Sequence, residues 1–371
     1  MTRSMMIATI LTTALTASTA VAQQQPRITN GRVVPQQAGA SLDATVRKLA
    51  AAQTEPGWIG YSVPVVSGDR IMCCSRGDGM WIGDGVTFTS GRINGCGLEG
   101  DRTSSQGATG ASTPAGPIHL EGPDQLIVLY RVEEKAVQKI RVFSPECELD
   151  AGGRTVQWVD GVKGADSVAL LSTFVAHDEQ KRDRLTDSAV AAIALHKDDA
   201  ADTALETFAN TSQPEFLRKK VAFWLGTTRG RRGFDTVVKM AKNDPSEDVR
   251  KGAMFALSQS REPEALSTLI QFARQDQSSK VRGEAIFWLS QKAGQRAAKE
   301  ITAAIEQDPD TDVKKKAVFA LSQLPKDEGV PLLIQVAKDN KNPAVRKQAM
   351  FWLGQSKDPR ALDFFQQVLA K

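Results

Sequence analysis

The feature that most restricts this chain is a repeat. Val249-Arg250, Val281-Arg282, Val313-Lys314 and Val345-Arg346 recur every 32 residues, and Leu217-Arg218 stands one interval earlier. A phenylalanine follows each pair at a fixed distance (Phe223, Phe255, Phe287, Phe319, Phe351), and a leucine follows each phenylalanine (Leu225, Leu257, Leu289, Leu321, Leu353). A period of this length marks a chain built from supersecondary units. No unit can hide its apolar surface alone, so neighbours must stack.

Each unit carries two helical patterns. Val249, Ala253, Ala256 and Leu257 follow the i, i+4, i+7, i+8 spacing of one helix face, and Met254 and Phe255 make the far side apolar too. A helix apolar on several sides must be covered on several sides. Leu266, Leu269, Ile270 and Ala273 form the narrower stripe of a second helix, backed by Ser267, Gln271 and Arg274. Asp244-Pro245, Asp308-Pro309, Asn342-Pro343 and Asp358-Pro359 mark the loops, since proline suits a helix start and breaks an interior. This helix-turn-helix unit resembles the HEAT repeat superfamily, specifically the short HEAT-like repeats named after phycocyanobilin lyases. The resembling motif reads here Asp248-Val249-Arg250, Ala253 and Ala256-Leu257. It implies an all-α solenoid from about 183 to 371 with a degenerate first repeat at 183–212, and Ser167–Ala176 as a capping helix. The resemblance speaks for fold and hardly for activity.

Two sub-patterns go beyond the generic repeat. The position after the phenylalanine alternates Trp224, Ala256, Trp288, Ala320, Trp352, so the true period is partly 64 residues. This reads as packing of a large residue into space that a small one leaves. Arg218, Arg250, Arg282, Lys314 and Arg346 form a cationic ladder, and Ser212, Asp244, Asp276, Asp308 and Asn340 a partly acidic one six residues earlier. Together they predict a structural salt-bridge and capping ladder. A solenoid of this kind docks partners on its concave side, expected to be lined by second helices. That face would carry Asp235, Lys239, Lys242, Ser267, Gln271, Arg274, Gln335 and Lys338. Lys239, Lys242, Gln271, Arg274, Gln335 and Lys338 are therefore the candidate partner-binding residues.

The N-terminal half is different. Arg3, the short apolar stretch Met5–Leu15 and Ala20-Val21-Ala22 predict a secretory signal peptide over 1–22. Residues 23–40 read as a linker. Residues 41–165 read as a β-rich domain with a leading helix at Ser41–Gln53, strands at Trp58–Val66, Arg70–Cys74, Val86–Thr89 and Thr155–Val159, and a hairpin of Gln125–Val132 with Ala136–Phe143. Asn94–Pro117 is Gly/Ser/Thr-rich and reads as a long loop. All four cysteines, Cys73, Cys74, Cys96 and Cys147, lie in this domain. In an exported chain they predict two disulfides, with Cys73 and Cys74 pairing with Cys96 and Cys147 in either order.

Catalytic and cofactor signals are sparse. The three histidines, His119, His177 and His196, read as surface residues. No G-x-S-x-G, H-E-x-x-H or phosphate-loop motif occurs, nor a His-Glu dipeptide of the kind used by iron-dependent hydroxylases of this superfamily. Residues 181–371 carry 32 Lys+Arg against 25 Asp+Glu, mild beside a nucleic-acid-binding stripe. The expectation is a two-domain α+β chain: a disulfide-stapled β-rich domain, then a HEAT-type solenoid over 166–371. It would be exported to the periplasm or the exterior, use no cofactor or metal, cross no membrane and dock a protein partner. The alternatives are an enzyme with its site near Trp58, Trp81 and the cysteines, or a binder of an anionic polymer.

Overall fold

The computed structural model describes residues 25–67, 71–74, 80–82, 86–89, 96–99, 124–178, 184–292 and 294–370. The expected signal peptide, His119 and most of the expected Asn94–Pro117 loop lie outside them. The central sheet has five strands: β2 (Arg32–Gln37), β3 (Gly57–Pro64), β8 (Gln125–Glu133), β9 (Ala136–Phe143) and β11 (Thr155–Asp160), in the order β2-β11-β3-β8-β9. The first three of that order run parallel, while β3-β8 and β8-β9 are antiparallel. Trp58, Ile59, Tyr61 and Val63 of β3 are fully buried, as are Leu126 to Tyr130 of β8. A strand buried on both faces reads as a continuous apolar run, as QLIVLY does. The β8-β9 hairpin turns through Glu134 and Lys135, both at positive φ. Helix α1 (Leu42–Ala52) starts at Ser41, whose hydroxyl accepts from the Ala44 amide, and buries Leu42, Val46 and Ala50.

The 23–40 segment is not a linker. It holds β1 (Arg27–Thr29) and β2, which pair with β10 (Glu148–Asp150) and β11 over a hundred residues away. Its glutamines conceal Val33-Val34, and Pro35 is tolerated because β2 is an edge strand. Cys73 of β4 (Ile71–Cys74) is bonded to Cys147, with 5.5 Å between the Cα atoms. Cys96 of β7 (Cys96–Gly97) is disulfide-bonded as well. The Cys74 side chain lies outside the described residues. β4 forms a small antiparallel sheet with β5 (Met80–Ile82) and β6 (Val86–Thr89).

A buried polar chain joins the sheet to the helices. Tyr130 and Tyr61 hydroxyls lie 2.7 Å apart, Tyr61 lies 2.7 Å from Ser167 Oγ in α2 (Gly164–Ser172), and Ser167 lies 2.7 Å from His196 Nε2. His196 Nδ1 lies 2.7 Å from the Ala192 carbonyl. A carbonyl only accepts, so Nδ1 carries the proton and Nε2 accepts from Ser167. The direction then follows: Tyr130 donates to Tyr61, Tyr61 to Ser167, Ser167 to His196. His196 is therefore wholly buried rather than on the surface as expected, because Val65 of the sheet pairs with it in an isolated bridge and α3 (Arg184–Leu195) packs on β9. His177 is exposed and hydrogen-bonded to Gln213.

Among the described residues, twelve helices follow α2 as six pairs: α3 with α4 (Asp199–Phe208), α5 (Glu215–Thr228) with α6 (Gly230–Asn243), α7 (Glu247–Gln259) with α8 (Ala265–Gln275), α9 (Ser279–Lys292) with α10 (Gly294–Gln307), α11 (Thr311–Ser322) with α12 (Lys326–Asp339), and α13 (Pro343–Gln355) with α14 (Pro359–Leu369). Where the second helix of a pair crosses the first, only a small residue fits. A Cβ on Gly233 or Gly329 would lie 2.1 or 2.4 Å from the carbonyl of Leu225 or Leu321, and the equivalent positions are the buried Ala265, Ala297 and Ala361.

First helices of successive repeats pack tightly on one another, whereas second helices touch their counterparts far less. Long side chains span the wider gap, as Arg232 does to Glu206 and Arg274 to Glu300. A stack that is tight on one side and open on the other bends towards the tight side. The concave side therefore belongs to the first helices, which corrects the expectation that second helices line it.

Burial, with a smaller push from Arg229, lowers the His196 pKa from 6.5 to about 4; the Ala192 carbonyl and Asp198 oppose the shift. The neutral ring contributes stability that is complete above its unfolded pKa and lost as pH falls from 6.5 towards 4. That loss is about 3 kcal/mol. Denaturant unfolding at pH 7 and pH 4 should show this difference shrinking by that amount in His196→Asn, although the variant is weaker at pH 7. Equal pH dependence in both proteins would refute the buried neutral ring.

Candidate functional site

On the concave face of α7 the solvent-accessible positions are Asp248, Lys251, Phe255 and Gln259, spaced to lie in one stripe, the middle two half-buried. Their aromatic members touch from repeat to repeat. Phe223 stacks on Phe255 with ring centres 5.6 Å apart, Phe255 meets Trp288 at 4.5 Å, Phe287 stacks on Phe319 at 5.9 Å, and Phe319 meets Trp352 at 4.9 Å. Within a repeat, Phe223-Trp224, Phe287-Trp288 and Phe351-Trp352 are edge-to-face. The contacts form one unbroken line from the second repeat to the sixth. Trp224 is buried, Trp288 and Trp352 are half-buried, and Phe351 at the end is 53% exposed. Trp288 and Trp352 thus lie on the preceding repeat's phenylalanine at the edge of the solvent, whereas Trp224 is enclosed.

Polar groups frame this line. Gln259, Gln291 and Gln323 each donate to the serine just before them, at 3.0, 3.3 and 3.1 Å. The lysines are matched by acids on their own helix: Lys219 with Glu215 at 3.8 Å, Lys251 with Asp248 at 2.9 Å and Lys315 with Asp312 at 3.1 Å. The face is aromatic and amide-rich, with its charge largely neutralised locally.

The cationic ladder runs along one edge. Arg250, Arg282 and Arg346 donate to the carbonyls of Asp244, Asp276 and Asn340, six residues earlier in the inter-repeat loop. Arg218 bonds the Gln213 carbonyl similarly. Carboxylates behave differently. Asp244 takes a bidentate pair from Arg218 at 2.8 and 3.0 Å, and Asp308 takes one from Arg282 at 2.7 and 3.0 Å, each 26 residues away and buried. In the third and fifth repeats no such ion pair forms among the described residues. Two grooves occupy those places. One of about 350 Å³ is lined by Lys242, Arg250, Gln271 and Asp276. Its counterpart of about 370 Å³ is lined by Glu306, Lys314, Gln335 and Asn340, the same positions sixty-four residues on. The alternation seen in the tryptophans therefore also governs the edge.

A model of HEAT repeats matches residues 201–290 and 298–371. Residues 201–371 are a HEAT repeat region. No family is found for the remainder, and no curated protein matches the chain in sequence. Among solved structures the chain is similar to YibA of Escherichia coli (22% identity, covering 56% of this chain and 79% of that one, TM-score 0.36). It is also similar to the CpcE–CpcF complex of phycocyanin lyase from Nostoc (21%, 42% and 99%, 0.32) and to human deoxyhypusine hydroxylase (16%, 55% and 90%, 0.27). No helix among the described residues is long and apolar enough to cross a membrane.

The HEAT region separates the six candidate partner-binding residues. Lys242 and Gln271 line one edge groove and Gln335 the other. Arg274 is engaged with Glu300 at 2.6 Å, Lys338 lies over the Phe364 ring, and Lys239 is exposed. None belongs to the aromatic line, which the 32-residue phenylalanine period could have disclosed had curvature been known. The alternative site near Trp58 is closed: the ring is wholly buried, its N–H donates to Glu99 at 2.7 Å, and Arg131 pairs with Glu99 at 2.8 Å. The Trp81 side chain lies outside the described residues.

The ladder cations should differ in energy by repeat. Arg218→Met leaves the Asp244 carboxylate buried without its partner and should cost about 3–5 kcal/mol. Arg250→Met faces an open groove and gives up one carbonyl bond, about 1 kcal/mol. Thermal unfolding of the two variants checks the order.

Proposed function

We propose that this chain is an exported, non-catalytic scaffold that docks a protein partner along the concave, first-helix face of its HEAT region. The observation that carries the reading is the continuous line of half-exposed rings from Phe223 to Phe351. Aromatic side chains dominate the energy of protein interfaces, and a line of them at repeat spacing offers a graded, extended contact. Neighbouring glutamine amides supply hydrogen-bond capacity for a polypeptide backbone. The locally paired lysines speak against a polyanion track, which needs uncompensated charge.

Export is supported by the signal-like 1–22 segment and by the Cys73–Cys147 disulfide, a bond that persists in oxidising compartments. With no catalytic motif in the sequence and with Trp58 closed off, the β-rich domain reads as a cap and platform for the solenoid.

Affinity capture from an envelope fraction tests the proposal. The wild-type chain should retain one partner in stoichiometric amount, weakly affected by salt. Phe287→Ala and Phe319→Ala should each weaken the interaction about 10–30-fold, about 1.4–2 kcal/mol. Retention that survives both substitutions, or that collapses on modest salt, would refute docking on this face.

A further inference from the structure

The end of the solenoid opposite the ladder edge carries a second alternation. Where the first and second repeats meet, Arg229 donates from Nη1 to the carbonyls of Ala194 and His196 at the end of α3. Where the third and fourth meet, Lys292 donates to the carbonyls of Ser258 and Ser260 at the end of α7, at 2.8 and 2.7 Å. These two carbonyl pairs are sixty-four residues apart in sequence. The helix end leaves both carbonyls without helical partners, and a cation from the next repeat supplies the donors. Lys292 as a whole is exposed, and partial desolvation of its ammonium lowers its pKa.

The third member of the series is Ser322 and Leu324, where the fifth and sixth repeats meet. The residue in the place of Lys292 is Ser356, too short to reach. Lys357, in the place held by Arg229 four junctions earlier, is exposed and takes positive φ. A cavity of about 210 Å³ lies there, lined by Ser322, Leu324, Lys326, Leu333, Trp352 and Ser356 among others. Trp352 Nε1 is buried there without a hydrogen-bond partner among the described residues, whereas Trp288 Nε1 donates to Glu284 at 2.8 Å. Gln348 replaces that glutamate. Among the described residues, then, no cation of the chain donates to the Ser322 and Leu324 carbonyls, and Trp352 makes no bond to Gln348 like the one Trp288 makes to Glu284.

We propose that this cavity is a seat for the basic side chain of a docked protein partner, its ammonium or guanidinium donating to the Ser322 and Leu324 carbonyls. The alkyl stem would lie along Leu333 and the Trp352 ring, which attracts a cation over its face. An acceptor on the same ligand, such as its peptide carbonyl, would take the Trp352 N–H. Lys326, exposed, is the charged residue among the lining groups and opposes a bound cation, so the carbonyls and the Trp352 ring must supply the attraction. That a partner protein bears the cation rests on the docking reading above; the seat itself is tested without any partner.

The probe is N-acetyl-lysine methylamide, titrated into the full chain labelled with 15N at the tryptophan indoles, with the Trp352 signal assigned through Trp352→Phe. The expected result is a saturable shift of that signal alone, half-complete at about 1–10 mM. The isosteric norleucine amide should produce no such shift. Ser356→Lys, which places an ammonium where Lys292 has one, should raise the unfolding temperature and abolish the shift. No saturable shift in the wild-type chain, or equal binding of the norleucine compound, overturns the seat. A shift confined to Lys357→Met means that the chain's own Lys357 fills the cavity, which overturns the partner assignment. If the probe binds as expected while envelope capture fails, the seat stands and the docking reading falls.

Discussion

Contact between neighbouring repeats is what the helical half of this protein depends on. A first helix such as α7 is apolar on nearly every side, and its core residues Val249, Ala253, Met254 and Leu257 are wholly buried because α5, α8 and α9 cover them. An isolated pair of helices could not do this. Small residues at the helix crossing bring the two layers close enough to exclude water, and the tight first-helix layer bends the stack. Curvature, the aromatic line and the edge grooves all follow from that arrangement.

The repeats stack in a two-step rhythm. Tryptophans, bidentate Arg–Asp pairs, edge grooves and the carbonyl pairs that seat a cation all recur every sixty-four residues. The second and fourth repeats supply the large ring and the buried ion pair; the third and fifth supply the space and an arginine or lysine not closed by a carboxylate, and the sixth keeps the ring alone. Buried ion pairs are costly to desolvate and add little net stability, but they fix orientation where geometry is strict. Placing them at alternate repeats leaves the intervening edge open for contact.

The junction between the halves is polar and fully enclosed. Tyr130, Tyr61, Ser167 and His196 each have their hydrogen-bonding partners, and the direction of the chain is set by the Ala192 carbonyl at its end. Such a network is unforgiving of misplacement, because any unpaired member would be a buried polar group with no water to turn to. It ties the five-stranded sheet to the first repeat more specifically than apolar contact alone would.

The helix pairs and their boundaries were readable from residues alone, because in a solenoid sequence neighbours are also spatial neighbours. Val-Arg pairs, loop prolines and the serine before α1 report local chemistry that each unit must satisfy by itself. The hairpin of β8 and β9 was readable for the same reason. Long-range pairing was not. β2 looks like a linker until β11 lies beside it, His196 looks like a loop residue until β3 and α2 close over it, and the acid nearest an arginine in sequence is not the one that bonds it. Which helix layer faces inward was also hidden, since curvature is a difference between two packing distances and leaves no mark on either helix. The period of the chain came from its sequence; the face it presents came from how closely the two layers pack.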